Sequence, residues 1–584
     1  MARLFSLLLF AIFAAALRDL NLLEAAGLPL VIAISLVFPR LAARPFNRVE
    51  AAARWLGRRP TLAIFGAGAV VIIIRLMLLP WFAVPFPIIT DEYSHLLLAD
   101  TLAHGRLTNP PHPMWQHFET IHVIFHPTYN SMYLPGQAFF LAAGKLIVGS
   151  PWAGVLLSTG LMTSAIFWTL CAWFPNRWAL LGSVLAGLRW GIHSYWVNSY
   201  WGGAVPAFAG ALILGASMRL YKQPRARHAL VLGVGCFLVA TSRPFEGFVV
   251  ILPCFVLLLA GFIRSPSAVR SLILRRTILP VAAVGLLSGL WIAYYCWRVT
   301  GDPFRLPYQV NQEMYGWPMT LPFFHPMPVS HRHAEMAGYY RWEAEEHQKL
   351  VHPLKYADRN LLDIVTLWSF YAGPILSVFL LFAIRGRAWR RAGLLFCVVL
   401  LALGVASIEQ SRYPHYIAPA AAAAVGLTVY GIRVFIARDS RSRAWRVAMV
   451  RWSLVWLVMV VLARSSVLAD LAARSGRSGY ISWCCSREGS TLRKEAAEEL
   501  SKIPGKHLVI VRYGPAHHWM DEWVHNDADI DASKVVWARD LGTADNLALI
   551  RYFHDRTVWL ATPEEPPVLR SYIERPTQAV AAER

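Results

Sequence analysis

Charge is scarce in this sequence. Of 584 residues only 16% are Asp, Glu, Lys or Arg and 56% are hydrophobic, whereas an ordinary soluble domain carries about 25% charge. Too few charged groups remain to cover a water-facing surface of that size, which excludes an ordinary soluble globule. Cysteine is scarce as well. Of the seven, Cys171, Cys236, Cys254, Cys296 and Cys397 fall in apolar segments, where a thiol behaves as a small hydrophobe. Cys484 and Cys485 are adjacent, and no CxxC or Cys/His spacing occurs, so neither a disulfide framework nor a zinc site is expected. No Gly-rich phosphate loop follows a strand-like run, which leaves no nucleotide site to expect. Internal repeats and low-complexity tracts are absent too.

What the chain does have is apolar runs of about 16 to 25 residues, the length that crosses a hydrocarbon core. Thirteen spans are expected: 4 to 17, 22 to 38, 61 to 86, 152 to 173, 178 to 194, 203 to 219, 228 to 241, 247 to 262, 278 to 296, 361 to 384, 392 to 407, 415 to 436 and 448 to 468. A net charge of +21 would fit nucleic acid if it clustered on a soluble face. Instead 24 Arg and Lys against two acids lie in five short segments between apolar runs: 39 to 60, 219 to 228, 264 to 276, 385 to 391 and 433 to 451. Such segments read as cytoplasmic loops of a multi-pass membrane protein, so the bilayer is the expected partner and nucleic acid is not.

The N-terminus, MARLFSLLLFAIFAAALRD, has the Arg, apolar core and small residues of a signal peptide. A second apolar run follows within a few residues, and an uncleaved helical hairpin over 1 to 60, with its basic loop, is expected. The run 133 to 149 would put basic segment 219 to 228 on the wrong side if it crossed, so it is expected to be re-entrant or interfacial. With that parity the outside parts are 87 to 132, the turn TSRPFEG (241 to 247), the loop 297 to 360, the turn EQSRYPHY (409 to 416) and everything after 470. Loop 297 to 360 balances seven Arg and Lys with seven Asp and Glu. Residues 470 to 584 alternate helical and strand-like runs in the order helix, strand, strand, helix, strand. The fold class expected is therefore an all-α polytopic membrane protein with a membrane region over 61 to 469 and a small α/β soluble domain outside.

Chemistry is concentrated where the third span ends. In TDEYSHLLLADTLAHGRL (90 to 107) Thr90 could cap an interfacial amphipathic helix, with Asp91 and Glu92 on its positive end and Gly105 as its stop. Structure alone would explain the two acids. Their place at the membrane boundary, ahead of a loop rich in aromatics and His, also fits an active site facing a lipid-borne substrate. The segment resembles the first extracytoplasmic loop of the GT-C membrane glycosyltransferases, among them the protein O-mannosyltransferases and the aminoarabinose transferases of lipid A. HPTYNSMYLPGQAFFLAAG (126 to 144) resembles the next element of that family. The likeness covers residues 60 to 440 as architecture, although two apolar runs precede the helix before the acids, where the family usually has one.

The resemblance implies that Asp91 and Glu92 bind or deprotonate an acceptor. It implies an inverting transfer of a hexose or pentose from a polyprenyl-phosphate donor to a hydroxyl or amine of a glycan, lipid or protein, outside a bacterial-type inner membrane. Arg243 and Arg412, in two short outside turns, together suit phosphate because guanidinium matches its oxygens bidentately; for either alone a snorkelling anchor is the favoured reading. Glu246 would orient Arg243, Tyr413 and His415 would contact sugar or phosphate or equally serve as interface aromatics, and Glu119 is a further first-loop carboxylate. The aromatics of SYWVNSYWGG (194 to 203) read as an interfacial belt. Histidines crowd the outside loops (His104, His112, His117, His122, His126, His325, His331, His333, His347, His352) without a metal-ligand spacing. Some members of the family use a divalent cation and others none, so the cofactor is left open. A secondary transporter or flippase is the rival reading, for which Arg75 and Arg189 inside apolar runs would be the evidence; a silent glycolipid-binding member is another.

Overall fold

The computed structural model describes residues 21–316, 321, 324, 327–351, 353–386, 388–410, 412–438, 443–475, 491–566 and 568–572. The expected helix over 4 to 17, Cys484, Cys485, His325 and His352 lie outside them. The chain begins with α1 (Asn21–Val37), α2 (Ala43–Gly57) and α3 (Pro60–Met77), then α4 (Thr90–Ala103), α5 (Gly136–Val148), α6 (Pro151–Leu170) and α7 (Asn176–Ala186). It continues through α8 (Ala204–Lys222), α9 (Ala226–Ser242), α10 (Phe248–Arg264) and the long α11 (Ser267–Thr300). After α12 (Pro307–Tyr315) and α13 (Ala334–Val351) come α14 (Pro353–Tyr371), α15 (Gly373–Arg385), α16 (Gly393–Ile408), α17 (Ala421–Ala437) and α18 (Arg443–Ser475).

This is a multi-pass helical membrane protein. Among the described residues six helices are long and apolar enough to cross a membrane, or seven if one bent pair counts as a span. Thirteen were expected; the first lies outside the described residues, and the runs 22 to 38, 228 to 241, 247 to 262 and 392 to 407 form apolar helices of 17 residues or fewer, while in three other runs proline or glycine changes the path. The run 61 to 86 is helical only to Met77 because Pro80, Pro85 and Pro87 follow, and residues 78 to 89 continue as turn and extended chain. The run 178 to 194 stops at Ala186 and passes through a wide turn over Gly187–Gly191. The run 361 to 384 breaks by 86° between Tyr371 and Gly373. The segment expected to be re-entrant is α5, whose 13 residues fall short of the ~20 a crossing needs.

The break at Gly373 surrounds a buried ion pair. Gly373 has φ +64°, and a Cβ there would lie 2.3 Å from Arg189 Nη2 and 2.6 Å from Glu24 Oε2. Arg189 binds Glu24 at 2.8 Å through Nη1, donates from Nε to the Phe370 carbonyl at 2.9 Å, and donates from Nη2 to that of Ser369. One guanidinium thus satisfies two carbonyls that the broken helix leaves without i+4 partners. Arg75 is equally occupied: it donates to Asn198 Oδ1 at 3.0 Å and to the carbonyls of Phe82 and Ala83 at 3.0 and 3.3 Å. Both arginines that would have marked a transport path brace irregular backbone instead.

After residue 490 the expected helices and strands appear as α19 (Leu492–Lys502) and α20 (Thr543–Tyr552), with β3 (Lys506–Val511), β4 (Val535–Arg539), β5 (Arg556–Ala561) and β6 (Leu569–Ser571). The short β1 (Val123–Ile124) and β2 (Asn130–Ser131) pair in the first loop. The C-terminal sheet runs β4-β3-β5-β6, parallel except for β6. It is not separate from the first loop. Leu508, Val536, Leu549 and Phe553 share one hydrophobic cluster with Leu97, Phe118, Val123 and Phe125. That docking overturns the expected interfacial surface for α4, on which Ser94, His95, Leu97, Leu98, Ala99, Asp100 and Thr101 are all buried.

Candidate active site

The N-terminus of α4 is closed by its own acid. Ile89 occupies the N-cap, and Glu92 Oε2, three residues on, accepts the N–H groups of Ile88 at 3.0 Å and Ile89 at 3.4 Å. Its other oxygen accepts the Tyr200 N–H at 2.9 Å. Glu92 is fully buried, and burial pushes its carboxyl up to about 8 against the pull of those three donors. Thr90, expected at the cap, instead bonds His122 Nδ1 through its hydroxyl at 3.0 Å.

Asp91 points the other way, into a cavity of about 520 Å³ at one end of the helix bundle. The Tyr133 hydroxyl donates to its Oδ1 at 2.6 Å, and His122 Nδ1 stands 3.6 Å from its Oδ2. His122 Nε2 bonds the Tyr339 hydroxyl at 2.7 Å, and that hydroxyl donates to Glu343 Oε1 at 3.0 Å. With Tyr339 donating to the carboxylate, His122 must donate from Nε2 and accept from Thr90 at Nδ1. Burial lowers the His122 imidazole and keeps it neutral, as this tautomer requires. His122 also takes a left-handed backbone, φ +64°, unusual outside glycine and a form of strain that gathers at functional sites.

Four separated segments meet around Asp91. From the turn after α9 comes Arg243, the one arginine among the described lining residues, paired with Glu246 at 3.2 Å and set over the Tyr416 ring at 4.3 Å. The 409 to 416 turn supplies Tyr413 and Tyr416, loop 300 to 351 supplies Tyr308, Trp342 and Glu343, and the loop after β3 supplies Trp519 and Met520. His95, stacked on Tyr133 at 4.4 Å, is lowered by burial to about 3 and is neutral.

Of the residues expected in the site, Asp91, Arg243, Glu246 and Tyr413 line this cavity. Glu92, Arg412, His415 and Glu119 do not. Glu92 is turned into the core by its capping role. Arg412 is drawn to Asp363 at 3.0 Å and to the Ser407 carbonyl at 3.1 Å. His415 is buried against Tyr195, whose hydroxyl lies 2.9 Å from its Nδ1. Glu119 lies against His333 at 3.0 Å and Tyr315 at 3.0 Å. Burial acts to raise its carboxyl, but His333 and Tyr315 outweigh that and leave it below the usual range. The belt expected over 194 to 203 is also corrected. Trp196 packs in the core against Phe370, and Trp201 lines the cavity with its ring 5.6 Å from Tyr413.

Glu343, Tyr339 and Trp519 were not anticipated. RWEAEEHQK looks like a solvated helix face, and only the i, i+4 spacing of Tyr339 and Glu343 could have marked them as one wall. Among the described residues no three His, Cys, Asp or Glu side chains converge into a cluster.

The described residues therefore define a multi-pass membrane protein whose loops close over an acidic, aromatic cavity with one arginine. No family model and no curated protein matches the chain. Among solved structures it is similar to the apo oligosaccharyltransferase of Archaeoglobus fulgidus, at 13% identity over 80% of this chain and TM-score 0.46. It spans 64% of that enzyme's length. It is also similar to ArnT of Cupriavidus metallidurans, apo at 13% identity over 88% of this chain and 93% of that one, TM-score 0.45. The undecaprenyl phosphate-bound form of ArnT gives 12% identity, 84% and 92% coverage and TM-score 0.45.

Proposed function

We propose that this chain is an inverting membrane glycosyltransferase that moves a hexose or pentose from a polyprenyl phosphate to an acceptor hydroxyl or amine on the outer side of a bacterial-type inner membrane. The observation that carries this reading is the meeting of Asp91 and Arg243, 152 positions apart in the sequence, in one cavity walled by aromatic side chains.

Asp91 is the general base. It takes the proton of the acceptor hydroxyl as that oxygen bonds to the anomeric carbon, and the bond from that carbon to the phosphate oxygen breaks on the opposite face. Tyr133 holds the carboxylate in place. Arg243 receives the departing phosphate: its Nη1 serves Glu246, and its other N–H groups meet the oxygens on which charge grows. Phosphate leaves readily, so no separate general acid is required. The flat faces of Tyr413, Trp342 and Trp519 suit the C–H faces of sugar rings. Glu92 acts at one remove by fixing the first turn of α4, and Arg412 by bracing the turn that carries Tyr413.

The test is release of polyprenyl phosphate from a panel of polyprenyl-phosphate sugars by the purified protein. Asp91→Asn should lower the rate by about 10²-fold or more, and Arg243→Gln by about 10²-fold, both with normal membrane insertion. Wild-type turnover in Asp91→Asn would overturn the assignment of the base.

A further inference from the structure

A second concavity, of about 670 Å³, lies at the far end of the bundle from Asp91 and has no part in the proposed transfer. Its distance from the first cavity follows from the helices. Arg391 precedes α16 and Arg433 lies near the end of α17, whereas Glu409 and Ala418, at the other ends of those two helices, stand at the Asp91 end. Sixteen residues of helix put roughly 24 Å between them.

Four arginines line this concavity: Arg177, Arg391, Arg433 and Arg443. Among the described residues none is paired with a carboxylate. Arg433 lies 5.5 Å over the ring of Phe174, and Arg177 lies 5.8 Å over that of Trp178. The positive-inside rule accounts for the sign of these charges. It does not account for their convergence into one hollow, nor for their positions on the helices.

Three helices start here. Arg177 is the second residue of α7, Arg443 the first of α18, and Ala392, which also lines the hollow, is the N-cap of α16. The N-terminal end of a helix is its positive end and prefers acids. None of these three first turns holds one; two hold arginine, and Arg391 stands directly before the third. Like partial charges gathered in one hollow repel unless an anion sits among them.

We propose that this hollow binds a phosphate ester, with guanidinium groups as donors and the positive ends of the helices adding to the attraction. Trp173, Trp178, Val434 and Ile436 are among the other lining residues. Aromatic and aliphatic walls beside a cationic floor match the head and first acyl carbons of an anionic phospholipid better than a fully hydrated ion.

The experiment uses the full chain in a neutral detergent, with bound lipid counted by native mass spectrometry. Phosphatidylglycerol, phosphatidylcholine and inorganic phosphate are the probes. Phosphatidylglycerol should be retained in preference to phosphatidylcholine, and Arg391→Gln with Arg433→Gln should weaken its retention about tenfold while polyprenyl phosphate release stays at the wild-type rate. Arg275→Gln with Arg276→Gln, exposed basic residues outside the hollow, should leave retention unchanged. Displacement of phosphatidylglycerol by millimolar inorganic phosphate would keep the site and make the soluble ion its ligand; no displacement would assign it to the lipid. Equal retention of both lipids by the wild type, or equal losses in the two double variants, would overturn the proposal.

Discussion

Adjacent residues on a helix point about 100° apart, and that angle separates the fates of Asp91 and Glu92. One faces a cavity; the other is buried under three backbone N–H groups. Because the folded Glu92 carboxyl is raised to about 8 from an ordinary value near 4.5, the folded state holds a proton that the unfolded state has lost between those two values. The contribution of Glu92 to stability is therefore greatest below about pH 4.5, falls as pH rises to about 8, and is flat above that. Thermal melts in detergent across pH 5 to 8 should show the decline. In Glu92→Gln the protein should be less stable overall, since one carboxamide oxygen cannot satisfy three donors, and the part of the slope due to Glu92 should vanish. An unchanged slope would mean that Glu92 is ionised in the fold. At this scale the sequence singled out Asp91 and Arg243, which the fold brings to one cavity, because an acid and an arginine at membrane boundaries need a reason. It did not separate Asp91 from Glu92, nor Arg243 from Arg412, because the direction of a side chain depends on partners far along the chain.

Among the elements, the break between α14 and α15 is the most constrained. Gly373→Ala would force a side chain into a left-handed backbone and against the Arg189–Glu24 pair. A loss of about 1 to 3 kcal/mol is expected from the backbone alone, read as a lower midpoint in chemical or thermal denaturation. Glu24→Ala should cost more, about 3 to 5 kcal/mol, because it leaves Arg189 buried without its counter-ion. Hydropathy located the middles of the apolar helices, since apolar length is a direct signature of burial in lipid or protein. It did not locate their ends: the run 361 to 384 is apolar throughout, and the bend depends on one glycine and on an arginine contributed by another helix.

Across the whole molecule, the C-terminal sheet and the first loop form one body. Arg539, buried at the edge of that sheet, pairs with Glu522 and with Glu335 of α13 at 2.9 Å and donates to the Glu119 carbonyl at 2.7 Å. Arg493 donates to the Tyr93 hydroxyl at 2.9 Å, and the Ala528 N–H donates to Asp100 Oδ2 at 2.9 Å. Arg539→Ala should loosen this body by about 3 to 5 kcal/mol. Limited proteolysis should then cut within 105 to 134 at sites protected in the wild type, and transfer should fall although every cavity residue is intact. The alternation of helix and strand after 490 was plain from periodicity. The docking was not, because its contacts join positions some 400 residues apart.

The Glu24–Arg189 clamp also bears on the order of manufacture. A ribosome delivers Glu24 first and Arg189 next, but the carbonyl of Ser369 follows 180 residues after Arg189. Throughout that interval the guanidinium has only part of its final set of acceptors. The nascent chain must therefore keep it wet, or hold it within the insertion machinery, until α14 emerges and bends. Release into the lipid is timed by a late helix, and a ribosome stalled before residue 369 should leave an early helix that has yet to commit.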